Sequence, residues 1–98
     1  DVLATLDATI AERARPTPDD PATPSYTRRL LADRNLRLKK LGEEAAELGT
    51  ACADGDAARA TEETADLVYH ALVALRATGA GLDDVRRTLW GRRTAERA

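Results

Sequence analysis

Ninety-eight residues hold one small domain and leave no room for two independent cores. Fifteen Lys and Arg against seventeen Asp and Glu give a net charge of −2, so no basic excess points to nucleic acid or an anionic membrane surface. The apolar runs are too short for a transmembrane span or a signal-peptide core. Cys52 is the single cysteine, which excludes an internal disulfide and cannot build a zinc site without other ligands. A soluble, reducing, cytoplasmic setting is expected. The chain opens on Asp1 rather than Met, as it would if its natural start were trimmed or missing.

Twenty Ala and thirteen Leu stand beside four Val, one Ile and no Phe or Met, which favours helices over strands throughout. The expected class is all-α, an antiparallel bundle of about five helices in one domain over 1–98. Alanine buries little surface, so a chain this small gains stability by pairing with itself, and a homodimer or higher homo-oligomer is expected.

Val2 to Ala14 reads as a first helix, with Leu3, Leu6 and Ile10 on one face, stopped by Pro16. Pro16 to Pro24 carries four Pro and no bulky apolar residue, and reads as an exposed connector. Ser25 suits the N-cap of a short helix reaching Asp33. A long helix follows from Asn35 to Asp54, with Gly55 as its stop. Asp56 caps the next helix, which extends to Thr78 before the Gly79-Ala80-Gly81 break. Leu82 to Arg97 reads as the last helix, with Asp83 and Asp84 in its first turn. The two long helices, joined by a tight turn, form an antiparallel hairpin.

Chemistry concentrates on that hairpin. At about 100° per residue, Leu38, Leu41, Ala45, Leu48 and Cys52 form one stripe, read as the core face, with Cys52 as a small buried residue. Glu44 and Glu47 lie beside it with Lys40 next to them. On the following helix Ala60, Leu67, Ala71 and Ala74 form the stripe, flanked by Glu63, Asp66 and His70. Glu44/Glu47 and Glu63/Asp66 are therefore two acidic pairs, each one turn apart, that face each other once the chain reverses. Four carboxylates beside a core repel unless neutralised, and Mg²⁺, which takes carboxylate oxygens together with water and phosphate, neutralises them well. The competing reading is a solvated face with ordinary ion pairs such as Lys40–Glu44. Gly49, mid-helix at a cost of about 1 kcal/mol relative to Ala, marks either a close helix approach between subunits or drift. Trp90, with Leu82, Val85 and Leu89, reads as a packing or interface anchor.

These residues resemble the phosphoribosyl-ATP pyrophosphohydrolase family of histidine biosynthesis, within the all-α MazG-type nucleoside-triphosphate pyrophosphohydrolases. Lys40-Leu41-Gly42-Glu43-Glu44 with Glu47 resembles the motif Lys-x-Gly-Glu-Glu-x-x-Glu. Glu63-Thr64-Ala65-Asp66-Leu67-Val68-Tyr69-His70 resembles Glu-x-Ala-Asp-Leu-x-Tyr-His, the more specific half. Ser25-Tyr26-Thr27 before Leu30-Leu31 resembles the family's Ser-aromatic-Thr segment, and reads equally as a helix cap and a packed ring.

The resemblance implies Mg²⁺-dependent hydrolysis of phosphoribosyl-ATP to phosphoribosyl-AMP and pyrophosphate. It implies Glu44, Glu47, Glu63 and Asp66 as metal ligands, with Glu43, Glu44 and Glu47 in catalytic positions and Glu43 orienting or deprotonating water. Lys40, Lys39 and Arg37 would hold phosphates, or else only pair with Glu43 and Glu44. Tyr69 and His70 would contact substrate. The Leu31–Gly42 stretch runs short of the family's usual spacing, which bears on substrate choice before metal binding. Two other readings stay open. One is a related pyrophosphohydrolase of other nucleotides, in house-cleaning or specialised metabolism; the other is a non-catalytic helical dimerisation module.

Overall fold

A computed structural model describes residues 1–16 and 25–93, so most of the Pro16–Pro24 connector and the expected helix beyond Arg93 lie outside the described residues. Five helices and no strand occur among the described residues: α1 (Val2–Arg13), α2 (Tyr26–Ala32), α3 (Arg34–Ala53), α4 (Ala57–Ala77) and α5 (Leu82–Arg92). The all-α expectation holds among the described residues, where α5 spans Leu82–Arg92.

Side-chain caps fix the helix starts. Asp1, Ser25, Asp33 and Asp56 each accept a hydrogen bond from the backbone N–H three residues on, at 2.9, 3.2, 3.0 and 3.0 Å. Asp33 serves two helices, because its extended backbone (φ −124°, ψ 97°) ends α2 while its carboxylate starts α3. Gly55 (φ 67°) and Gly79 (φ 95°) take the left-handed conformation that ends α3 and α4, as the sequence suggests. The short Gly55 turn folds α3 and α4 into the expected hairpin, the most extensive helix pair in the chain.

The core lies to one side of that hairpin. Ile10, Leu30, Leu72, Val73 and Leu82, from α1, α2, α4 and α5, form one buried cluster flanked by Leu6, Leu31, Leu36, Val68 and Tyr69. An ion pair bolts α1 to the end of α4, where Arg76 Nη2 donates to both Asp7 carboxylate oxygens (3.1 and 3.2 Å), and Asp7 Oδ1 also accepts from Leu82 N at the start of α5 (3.2 Å).

One packing expectation is corrected. The Leu38–Cys52 stripe is not the core face of α3: Leu38 is 45% exposed, Ala45 and Cys52 are exposed, and Ala51 is the one fully buried residue of the helix. The reason is that α3 has α4 as its main neighbour, and its less exposed residues, Arg37, Lys40, Leu41, Glu44, Leu48 and Ala51 among them, keep Leu41 and Leu48 of that stripe but leave Leu38, Ala45 and Cys52 outside. Within the chain Gly49 marks no close approach, since a Cβ there would meet nothing within 4 Å. The radius of gyration is 15.1 Å, against roughly 13 Å for a compact hundred-residue domain.

Candidate active site: an acidic cluster across the hairpin

Because the α4-facing line of α3 passes through Glu44, that carboxylate points at α4 instead of solvent. It meets Glu63 and Asp66 there: one carboxylate oxygen from each of the three lies within 4.8 Å of the others. Glu47 is not one of the three, but it lies near enough to raise both Glu44 and Glu63. Three of the four carboxylates read from the sequence thus converge, with Glu47 beside them.

Their electrostatics are unfavourable as they stand. Burial raises the Glu44 carboxyl above its ordinary value, and the charges of Glu47 and Asp66 add to this, while His70 opposes it. Glu63 is raised first by the carboxyl–carboxyl contact with Glu47, then by burial and by the charges of Glu47, Asp66 and Glu44. Glu44 Oε2 and Glu63 Oε2 are buried, and among the described residues no N–H or hydroxyl donor reaches either. Buried oxygens without donors, flanked by further negative charge, are the donor set a hard divalent cation fits.

The lysines do not relieve this charge. The expected Lys40–Glu44 pair is not formed; Lys40 Nζ lies 3.5 Å and Lys39 Nζ 3.7 Å from the Glu43 carboxylate. Glu43, one residue from Glu44, turns away from the cluster with two cations held beside it. Arg37 Nη1 donates to the Leu31 carbonyl (3.3 Å), bracing the α2–α3 joint. Tyr69 and His70 are used inside the chain: Tyr69 Oη and Thr27 Oγ1 share a hydrogen bond of 2.6 Å, His70 Nδ1 lies 2.8 Å from the Asp66 carbonyl oxygen, and Tyr26 Oη lies 3.4 Å from His70 Nε2. The sequence reading missed these links from α2 to α4. The signal for them was present in two adjacent polar–aromatic pairs, Tyr26-Thr27 and Tyr69-His70.

A profile of the family described as phosphoribosyl-ATP pyrophosphohydrolase matches residues 3–93. The chain belongs to that family. A phosphoribosyl-ATP pyrophosphatase of Haloquadratum walsbyi is 43% identical over 94 residues, covering 93% of this chain and 90% of the relative. One from Methylobacterium radiotolerans is 46% identical over 95 residues, covering 96% of this chain and 84% of its own length. A histidine biosynthesis bifunctional protein of Synechocystis sp. is 45% identical over 94 residues, which are 95% of this chain and 42% of that longer protein. The matched residues include Glu44, Glu63 and Asp66, which the hairpin brings together.

Proposed function

We propose that this family member hydrolyses phosphoribosyl-ATP to phosphoribosyl-AMP and pyrophosphate in the cytoplasm, using Mg²⁺ held by Glu44, Glu47, Glu63 and Asp66. The observation that carries the reading is the convergence of Glu44, Glu63 and Asp66 with two buried oxygens that lack donors. Bound there, the ion would polarise phosphate oxygens and offset the charge that develops on them.

The chain's own residues supply the rest. Lys39 and Lys40 stand one helical turn before Glu43 and Glu44, where their ammonium groups meet an incoming polyphosphate. As they turn to phosphate they release the Glu43 carboxylate, which then orients the attacking water. The clasped start of α2 forms a wall of the same site, through Tyr26 and Thr27. Substitutions in the lysines should raise KM, whereas those in the carboxylates should lower kcat.

An oligomer fits the surface. Leu3, Val68, Ala71, Leu72, Leu75, Leu82, Val85 and Leu89 line a groove of about 290 Å³ between α1, α4 and α5. Leu89 is 61% and Trp90 67% exposed on α5. A second copy of the chain is the partner we propose for this apolar face.

The test is pyrophosphate release with Mg²⁺ across phosphoribosyl-ATP and a panel of canonical and damaged nucleoside triphosphates. Preferred turnover of phosphoribosyl-ATP is expected. Preference for another nucleotide would replace the substrate, and inactivity on all would leave a helical dimerisation module.

A further inference from the structure

His70 is the chain's only histidine and its one buried polar or charged residue among the described residues, with 8% of its surface exposed. Both ring nitrogens face groups of the chain. A carbonyl oxygen only accepts, so Nδ1, 2.8 Å from the Asp66 carbonyl, carries a proton. In the neutral ring Nε2 is then an acceptor, and Tyr26 Oη, 3.4 Å away, donates to it.

The contacts around this ring are unusually complete. Tyr69 meets His70 edge-on (centroids 5.0 Å, 84°), Tyr26 meets it edge-on (6.0 Å, 76°), and Tyr26 stacks on Tyr69 (6.3 Å, 21°). The Thr27–Tyr69 hydrogen bond closes the set. Two consecutive residues of α2 are thereby clasped to two consecutive residues of α4, one turn after Asp66.

We infer that His70 is a positioning residue: it joins the Asp66 turn of α4 to Tyr26 of α2, and acts through Tyr26 rather than by touching substrate. The inference rests on the proposed phosphoribosyl-ATP reaction for its kinetic consequence, but not for its geometry. Its loss leaves every carboxylate and lysine in place while freeing the start of α2 beside the cluster.

The kinetic test is a double-mutant cycle. His70→Asn keeps a donor for the Asp66 carbonyl but removes the acceptor for Tyr26, and Tyr26→Phe removes the same bond from the other side. Each single change should lower kcat/KM on phosphoribosyl-ATP about tenfold, the size of one hydrogen bond. The double variant should fall about tenfold as well, not about a hundredfold, because both changes break one link. His70→Gln, whose carboxamide reaches the Nε2 position, should recover most of the loss. Losses that multiply, or variants as active as the parent, overturn the inference.

A second readout needs no turnover. At a pH where the imidazole is uncharged, the nitrogen-15 spectrum of the metal-free wild type should show the His70 proton on Nδ1, with Nε2 shifted by Tyr26→Phe. A proton on Nε2 overturns the inference whatever the kinetics show. If the wild type ignores phosphoribosyl-ATP yet shows the Nδ1–H ring, the substrate assignment fails and the positioning role stands.

Discussion

Glu47 on α3 and Glu63 on α4 sit near enough across the hairpin for Glu47 to raise the Glu63 carboxyl, a crowding of like charge that a proton or a cation relieves. Without metal the proton is the available partner, so the folded state holds Glu63 and Glu44 above the ordinary carboxylate range. A carboxyl raised in the fold contributes stability that is full below its ordinary value and is lost as pH rises through the raised value. The metal-free wild type should therefore lose melting temperature between mildly acid and neutral pH, and Glu63→Gln should lose less. Mg²⁺ should restore the wild type at neutral pH and leave the variant unmoved. Parallel melting curves for the two proteins would contradict this account of the cluster.

The Asp7–Arg76 pair anchors α5, and Gly81 is what lets it form. A Cβ at Gly81 would collide with the Arg76 guanidinium, which is held by Asp7 and cannot swing aside without breaking that bond. Asp7→Asn should cost about 1–3 kcal/mol, below the value for a fully buried pair because both side chains keep some exposure. Gly81→Ala should cost a similar amount, and the double variant little more. Thermal melts decide the matter: additive losses would mean that Gly81 acts elsewhere.

Gly49→Ala should stabilise the chain by about 1 kcal/mol, because a mid-helix glycine is replaced where open space receives the methyl. Chemical denaturation measures it. A loss of stability would place a close neighbour over that turn, the second copy being the first to look for.

Leu89→Glu should shift sedimentation toward the monomer, since Leu89 borders the apolar groove between α1, α4 and α5. An unchanged sedimentation coefficient would remove this face from the interface.

Most of the fold is legible in the sequence because its punctuation is chemical. Asp1, Ser25, Asp33 and Asp56 cap helices, and Gly55 and Gly79 end them, so the element order follows from residue types whose local preferences agree. The acidic site is legible for a related reason: Glu44/Glu47 and Glu63/Asp66 sit one turn apart on helices whose short connection forces them together. What fails is the apolar stripe of α3. Periodicity finds the greasiest line, but the neighbour decides which line is covered, and α4 covers the one running through Glu44. The partner of Lys40 was misread for the same reason, since Glu44 points inward and leaves Glu43 for the lysines. Asp7–Arg76 joins residues far apart in sequence, and no local pattern announces it.

Calorimetric titration of Mg²⁺ into the wild type, Glu63→Gln and Asp66→Asn tests the central claim most directly. Binding by the wild type with proton release, and its loss in both variants while their helical circular dichroism persists, is the expected result. Equal Mg²⁺ affinity in all three proteins would contradict the assignment of Glu63 and Asp66 as ligands.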